Sequence, residues 1–386
     1  MESQEVKLAM NRRDFLKLPG VLAVGALAGN LLDPCYARAS VDRRYYKEAK
    51  WYEADPSGRV VCRLCPNSCR IGPGHDGACR VRQNIGGKLY TKIYGRPVTI
   101  HQDPIEKKPL FHFLPGTRAL SVSNGGCNIA CKFCQNWQLS QSKLDDLPAR
   151  FGFVGAKDLV SMAEKQNSSS IAMTYAEPVV AHEYNLDVAF ASKAAGVPMV
   201  MISNGFIEQA PLEQLLEHLG AFKVDFKAFD DGFYKKVCEG RLQPVLDAMK
   251  TIKSKGVWLE IVHLTIPTLN DDPEQTKRLC DWVLKNLGPD VPLHFTRFYP
   301  TYMMRNLPST PPSTLERAWI IAKKAGVHYP YVGNLPGNEG ENTHCHACGA
   351  LLIKRLGYST EIVGLKDGKC KKCGVKIPGV WSWPPK

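Results

Sequence analysis

Between about residue 118 and residue 334 one pattern recurs: a short apolar run, then a longer stretch with apolar positions at helical spacing. The apolar runs lie at 119–123, 170–175, 198–203, 221–226, 257–265 and 292–299, and their length and flanking turn residues predict strands. The stretches 156–166, 183–195, 211–219, 233–255, 274–287 and 313–325 predict helices, and Gly196, Gly220, Gly256, Gly288 and Gly326 stand where those helices should stop. Six successive βα units predict a parallel sheet with crossover helices. Right-handed crossovers should curl it into a complete or partial barrel.

Parallel strands covered on both faces should be almost wholly apolar. The fourth run breaks that rule. Lys223, Asp225 and Lys227 alternate with apolar residues and so share one face. A row of charges inside a barrel is costly unless it meets charged partners or a ligand. Active sites of such barrels lie at the C-terminal strand ends. The residues expected there are a cysteine loop after the first strand, Glu177, Asn204 with Gly205, Asp225 with Lys227, and Arg297 with Tyr299.

That loop places Cys127, Cys131 and Cys134 within eight residues, after Gly125 and Gly126. An iron–sulfur cube takes four ligands, one per iron. Three cysteines leave one iron open for a substrate or cofactor, as catalytic metal sites keep an open position. A zinc site or reduced surface thiols are the alternatives. Eleven of the fourteen cysteines fall in tight groups, and spacing of this kind suits metal ligands better than a disulfide scaffold. Cys62, Cys65, Cys69 and Cys79, interleaved with glycines, form a second candidate site, open to zinc, an iron–sulfur cluster or a disulfide pair. Cys345, Cys348, Cys370 and Cys373 form two Cys-x2-Cys-Gly knuckles with zinc-ribbon or rubredoxin-like spacing, for zinc or iron. His344 and His346 beside them are read as non-ligands, and Cys238 and Cys280 as small core residues.

The remaining features set limits. Apolar content of 44% and charged content of 23% are those of a globular protein. The net charge of +13 favours anionic partners, but the basic residues are dispersed and no nucleic-acid motif stands out. Beyond the leader no apolar run is long enough to span a membrane. The first 39 residues read as a signal peptide: Arg12 and Arg13, then Phe15-Leu16-Lys17, a weakly apolar stretch and Ala37-Arg38-Ala39. The division expected is a signal peptide at 1–39, an N-terminal extension with the four-cysteine motif at 40–117, the barrel at 118–334 and a zinc-ribbon-like module at 335–386.

The run Cys131-Lys-Phe-Cys134, with Phe133 before the last cysteine, resembles the signature of the radical S-adenosylmethionine (SAM) superfamily. The chain is similar to the pyruvate formate-lyase activating type. Through 103–116, 131–137 and 266–271 it resembles the radical SAM member of the AmmeMemoRadiSam system. The resemblance implies a partial (β/α)6 radical SAM barrel, with a 4Fe-4S cluster on Cys127, Cys131 and Cys134 and SAM on the open iron. It also implies a low-potential donor such as flavodoxin or ferredoxin. Phe133 is expected near the adenine, Glu177 at the methionine ammonium, Asn204 near the ribose, Asp225 and Lys227 at the methionine end, and Arg297 at the sixth strand end. The leader resembles a twin-arginine signal, implying export after cytoplasmic cluster loading, or residence in the cytoplasm if the leader is kept.

The expected function is reductive cleavage of SAM to a 5′-deoxyadenosyl radical that takes hydrogen from a protein or small molecule. Activation of a glycyl-radical protein is the finer expectation. The alternatives are an RNA-modifying radical SAM enzyme and a non-catalytic, exported metal-binding or electron-transfer protein.

Overall fold

A computed structural model describes residues 42–385. The signal peptide expected at 1–39, with its export reading, lies outside the described residues, as does Cys35. Among the described residues no helix is long and apolar enough to cross a membrane.

Among the described residues two small antiparallel sheets precede the main one. One joins β1 (Lys47–Glu48), β6 (Lys88–Thr91) and β5 (Arg82–Ile85); the other joins β2 (Tyr52–Ala54), β3 (Val60–Cys62) and β4 (Arg70–Ile71). The eight-stranded sheet that follows runs β7 (Thr99–Pro104), β8 (Arg118–Ser123), β9 (Ser170–Met173), β10 (Met199–Ser203), β11 (Leu219–Phe226), β12 (Trp258–Thr265), β13 (Leu293–Arg297) and β14 (Pro330–Gly333). Neighbours in sequence are neighbours in space. From β8 to β14 every pair is parallel, and β7 alone joins antiparallel. All six expected strands are present. The structure adds a seventh parallel strand, β14, and the antiparallel edge β7, so the sheet is larger than the expected six-stranded partial barrel.

The barrel starts before 118, because β7 pairs along its length with β8 and residues 105–114 enter the barrel interior. There Ile105, Leu110, Phe113 and Leu114 pack on Ala119, Ala172, Val200, Ile202 and Ala221. The opposite strand face carries Val122, Met173, Met201 and Phe222 into the main core beneath the helices. Truncating any one of these to Ala should cost ~2–5 kcal/mol. Gly220, expected as a helix stop, lies inside β11; the helix before it ends at Leu216. An added Cβ at Gly220 would sit 2.9 Å from Pro198 and 3.2 Å from Phe113, so packing explains this glycine.

The other helices fall close to expectation, at Ala156–Lys165, His182–Ala194, Pro273–Leu287 and Pro312–Ala325. The helix expected over 233–255 is interrupted. A wide turn at Tyr234–Cys238 ends at Glu239 with φ of +56°, and the helix restarts at Leu242–Ser254. The break frees the carbonyls of Val237 and Cys238 to accept from the backbone amides of Lys132 and Ala130, which braces the cysteine loop.

The sheet does not close on itself; β14 and β7 are its edges. A C-terminal module of β15 (Thr343–His344), β16 (Leu351–Leu356), β17 (Ser359–Ile362), β18 (Leu365–Lys366) and β19 (Lys369–Cys370) packs on β14 and on the segment after β7. Buried Arg355 donates to the carbonyl of Phe111 at 2.8 Å and to Thr343 Oγ1 at 2.7 Å, and the His112 and Val380 backbones are hydrogen-bonded. Buried Glu260 accepts from the Phe111 and His112 amides, from Trp258 and from His294, so its charge is fully engaged.

Candidate active site

The C-terminal ends of β8 to β14 surround a cavity of about 380 Å³, within the size range of small-molecule sites. Cys127, Cys131 and Cys134 line one side of it. Their loop is held from outside as well as from the barrel. Asn67 donates to the carbonyl of Asn128 at 2.6 Å, and the Met303 amide donates to the carbonyl of Lys132 at 3.0 Å. Phe133 also lines the cavity, buried beside Phe233 at 6.0 Å between ring centres.

The charged face of β11 points inward. Lys223, Asp225 and Lys227 all line the cavity; Lys223 is bonded to Asp225, and Lys227 Nζ is 4.0 Å from the other carboxylate oxygen. Burial opposes the charge on Asp225, but the two ammonium groups outweigh it and hold its carboxyl below the ordinary value. Burial likewise opposes charge on Lys227, and Asp225 outweighs it, raising the ammonium's pKa. On Lys223, fully enclosed, burial wins and the pKa falls.

Glu177 follows β9 and is 3% exposed. Its carboxylate accepts from the Val179 amide at 3.0 Å, Ser203 Oγ at 2.6 Å and the Asn204 amide at 2.9 Å. Burial nevertheless pushes its pKa up to about 7. Asn204, after β10, donates from Nδ2 to Asn128 Oδ1 at 2.9 Å and lies 3.8 Å from the Cys127 sulfur.

Five of the six residues expected to touch a cofactor therefore line one cavity: Phe133, Glu177, Asn204, Asp225 and Lys227. Arg297 does not. It shares the outward face of β13 with Leu293 and Phe295, donates to the Thr310 carbonyl at 2.8 Å and lies over the Tyr299 ring. Its inward neighbour Thr296 lines the cavity instead. The two-residue period already assigns those faces, so the parity of 297 was the available signal.

Sequence reasoning missed other lining residues. Lys107 and Lys108 enter from the segment after β7, both paired at 2.8 Å with Asp103. Asn334 follows the unrecognised strand β14, and Tyr358 comes from the hairpin between β16 and β17. Cys238 is buried in the main core, as expected, and its carbonyl accepts from the Ala130 amide of the cysteine loop.

The C-terminal knuckles form a different kind of site. The sulfurs of Cys345, Cys348, Cys370 and Cys373 all lie within 4.8 Å of one another. The Cys345–Cys373 and Cys348–Cys370 distances are 3.6 and 3.8 Å. A tetrahedral ion with bonds of about 2.3 Å separates its sulfurs by roughly 3.8 Å. The four cysteines therefore fit a single metal ion. His344 is paired with Glu339 and His346 with Tyr329, so neither belongs to the group.

A parallel α/β sheet that turns three cysteines and an inward row of charges into one mouth is an architecture for a metal-bearing site beside a small charged ligand. The model of the Radical SAM superfamily matches residues 121–280. An uncharacterized protein of Methanocaldococcus jannaschii is 42% identical over 333 residues, 86% of this chain and 98% of its own length. The pyruvate formate-lyase-activating enzyme of Clostridium pasteurianum is 23% identical over 184 residues, 45% of this chain and 71% of its own. Among solved structures, a radical SAM methyltransferase from Sphaerobacter thermophilus has a TM-score of 0.45 at 13% identity, covering 83% of this chain and 86% of its own. The chain belongs to the radical SAM superfamily. Within it, the chain is similar to pyruvate formate-lyase-activating enzymes.

Membership implies a 4Fe-4S cluster and SAM, and the residues present fit both. Among the described residues, the groups of three or more ligands within 4.8 Å do not include the barrel triplet, so its sulfurs are spread wider than one ion needs. The remaining cavity wall supplies an acid, a base and an aromatic ring, the complement of a zwitterionic, purine-bearing ligand.

Proposed function

We propose that this protein is a radical SAM enzyme that cleaves SAM reductively and abstracts hydrogen from its substrate. What supports this reading is that the three thiols and the charged row of β11 share one cavity. A 4Fe-4S cluster on Cys127, Cys131 and Cys134 would supply one electron to the sulfonium of SAM, releasing methionine and a 5′-deoxyadenosyl radical. Asp225, backed by Lys223, and Lys227 are assigned to the methionine end of SAM. Glu177 is assigned to the ammonium, which would hold the carboxylate in its ionised form. Phe133 is assigned to the adenine and Asn204 to the ribose side. Glu177, Asn204 and Lys223 are buried at these strand ends, which would limit the access of water to a reactive intermediate.

The finer reading is that the hydrogen comes from a glycyl-radical protein, supported by the activating-enzyme relatives over less than half of the chain. For the C-terminal quartet we favour zinc, because four gathered thiolates suit it and a ribbon needs a staple. The export reading of residues 1–39 stays a proposal on sequence alone.

The test is anaerobic reconstitution with iron and sulfide, then dithionite and SAM. Production of 5′-deoxyadenosine and methionine is expected. A cluster-loaded sample that yields neither defeats the assignment. A glycine-centred radical signal on a candidate partner, dependent on this enzyme and SAM, tests the finer reading.

A further inference from the structure

The N-terminal cysteines carry more than spacing suggested. Cys62 ends β3, Cys65 and Cys69 lie in the connection to β4, and Cys79 lies between β4 and β5, yet all four line one cavity with Leu64, Ile71 and Val180. All four are free thiols. Unlike the C-terminal quartet, no three of them gather within 4.8 Å, among the described residues. A single tetrahedral ion brings its sulfurs to roughly 3.8 Å, whereas a polynuclear cluster interposes iron and sulfide and holds its ligands further apart.

A second observation points into the same space. Arg82 is 1% exposed and lines the cavity. One guanidinium nitrogen is bonded to Glu183, but its Nε and Nη1 are buried with no hydrogen-bond partner in the protein. Buried donors of a charged group are costly to leave unmatched. Bridging sulfides at the centre of the cavity would be acceptors for them. Metal-bound thiolates would accept from Arg82 as well, so the arginine calls for an anionic occupant and the spread of the sulfurs selects a polynuclear one.

The cavity also abuts the barrel site. Asn128, next to Cys127, lines it, and Asn204 links Asn128 to the Cys127 sulfur. Gly126, with φ of +89°, packs so tightly that an added Cβ would meet the Cys79 carbonyl oxygen at 2.6 Å. Only glycine lets the two cysteine loops touch.

We propose that Cys62, Cys65, Cys69 and Cys79 hold a second iron–sulfur cluster, packed against the barrel triplet so that single electrons pass between them. In that step one electron leaves the reduced N-terminal cluster and enters the barrel cluster; no bond forms or breaks. The electron comes from a low-potential one-electron carrier, or from dithionite in the laboratory. The relay rests on the radical SAM reading above; the cluster itself does not.

The experiment uses the full chain, reconstituted anaerobically, in three forms: wild type, Cys127→Ala/Cys131→Ala/Cys134→Ala, and Cys65→Ser/Cys79→Ser. Iron and acid-labile sulfide are counted, and dithionite-reduced samples are examined by electron paramagnetic resonance. The triple variant should keep iron with equimolar sulfide, about half of the wild-type amount. The double variant should lose the other half, and the reduced wild type should show two interacting paramagnets. Zinc without sulfide in the triple variant overturns the proposal. Should that variant not fold, wild-type sulfide left undiminished in the double variant overturns it equally. In either case 5′-deoxyadenosine production would still stand, so the two readings fail separately.

Discussion

The two outer cysteine quartets look alike in sequence, each opening on Cys-x2-Cys, yet the fold treats them differently. The C-terminal sulfurs converge within 4.8 Å, and Cys373 is exposed. Those of the N-terminal set stand around an apolar cavity with a buried arginine. One module packs on the sheet edge β14; the other packs on the loop that carries Cys127, Cys131 and Cys134. Ligand spacing along a chain reports that a metal is held. The distances between sulfurs report how many metal atoms fit, and the neighbours report what the site serves.

The barrel triplet gives the largest effect that tests this contrast. Cys131→Ala should reduce 5′-deoxyadenosine to background while leaving the C-terminal metal content unchanged; metal analysis alongside product assay checks both halves. Next comes the staple. Cys348→Ser/Cys373→Ser should lose one metal ion per chain without losing sulfide, and lower stability by up to roughly 10 kcal/mol. A matching loss of sulfide in that variant would erase the distinction between the quartets.

Arg82→Met leaves Glu183 buried and unpaired, which should destabilise the fold by about 3–5 kcal/mol. Denaturant unfolding measures it, and Arg82→Met/Glu183→Gln should recover part of the loss.

Glu177 sharpens the view of the barrel site through pH. Its folded pKa of about 7 is raised above the ordinary 4.5, so its contribution to stability is present below 4.5 and lost as pH rises through 7. Binding of an ammonium favours the opposite, ionised form. SAM affinity should therefore fall as pH drops below 7, by at most about tenfold per unit, and Glu177→Gln should flatten that profile. An unchanged slope in the variant would remove Glu177 from the ammonium contact. The smallest effect is expected at Tyr358, where Ala should raise KM for the substrate a fewfold and leave substrate-free SAM cleavage intact.

Much of this was legible without coordinates. The six strands, most helix limits, the triplet and the inward row of Lys223, Asp225 and Lys227 follow from apolar period, glycine stops and local ligand spacing. These are short-range properties, and the physics that sets them acts over a few residues. What escaped was long-range. β7 and β14 are short edge strands whose pairing depends on the neighbouring strand, and the helix over 233–255 breaks to brace the loop at Ala130 and Lys132, far back in the chain. Lys107, Lys108, Asn334 and Tyr358 reach the cavity only because the open barrel admits the segment after β7 and the C-terminal hairpin.

The amino-acid order alone determined the repeating βα scheme, the face of each inward charge and the membership of each cysteine group, because all three depend on backbone period and near neighbours. Tertiary structure alone decided how far apart the sulfurs stand and which loops touch. Those distances are set by the packing of segments remote in the chain, as where Gly126 meets Cys79.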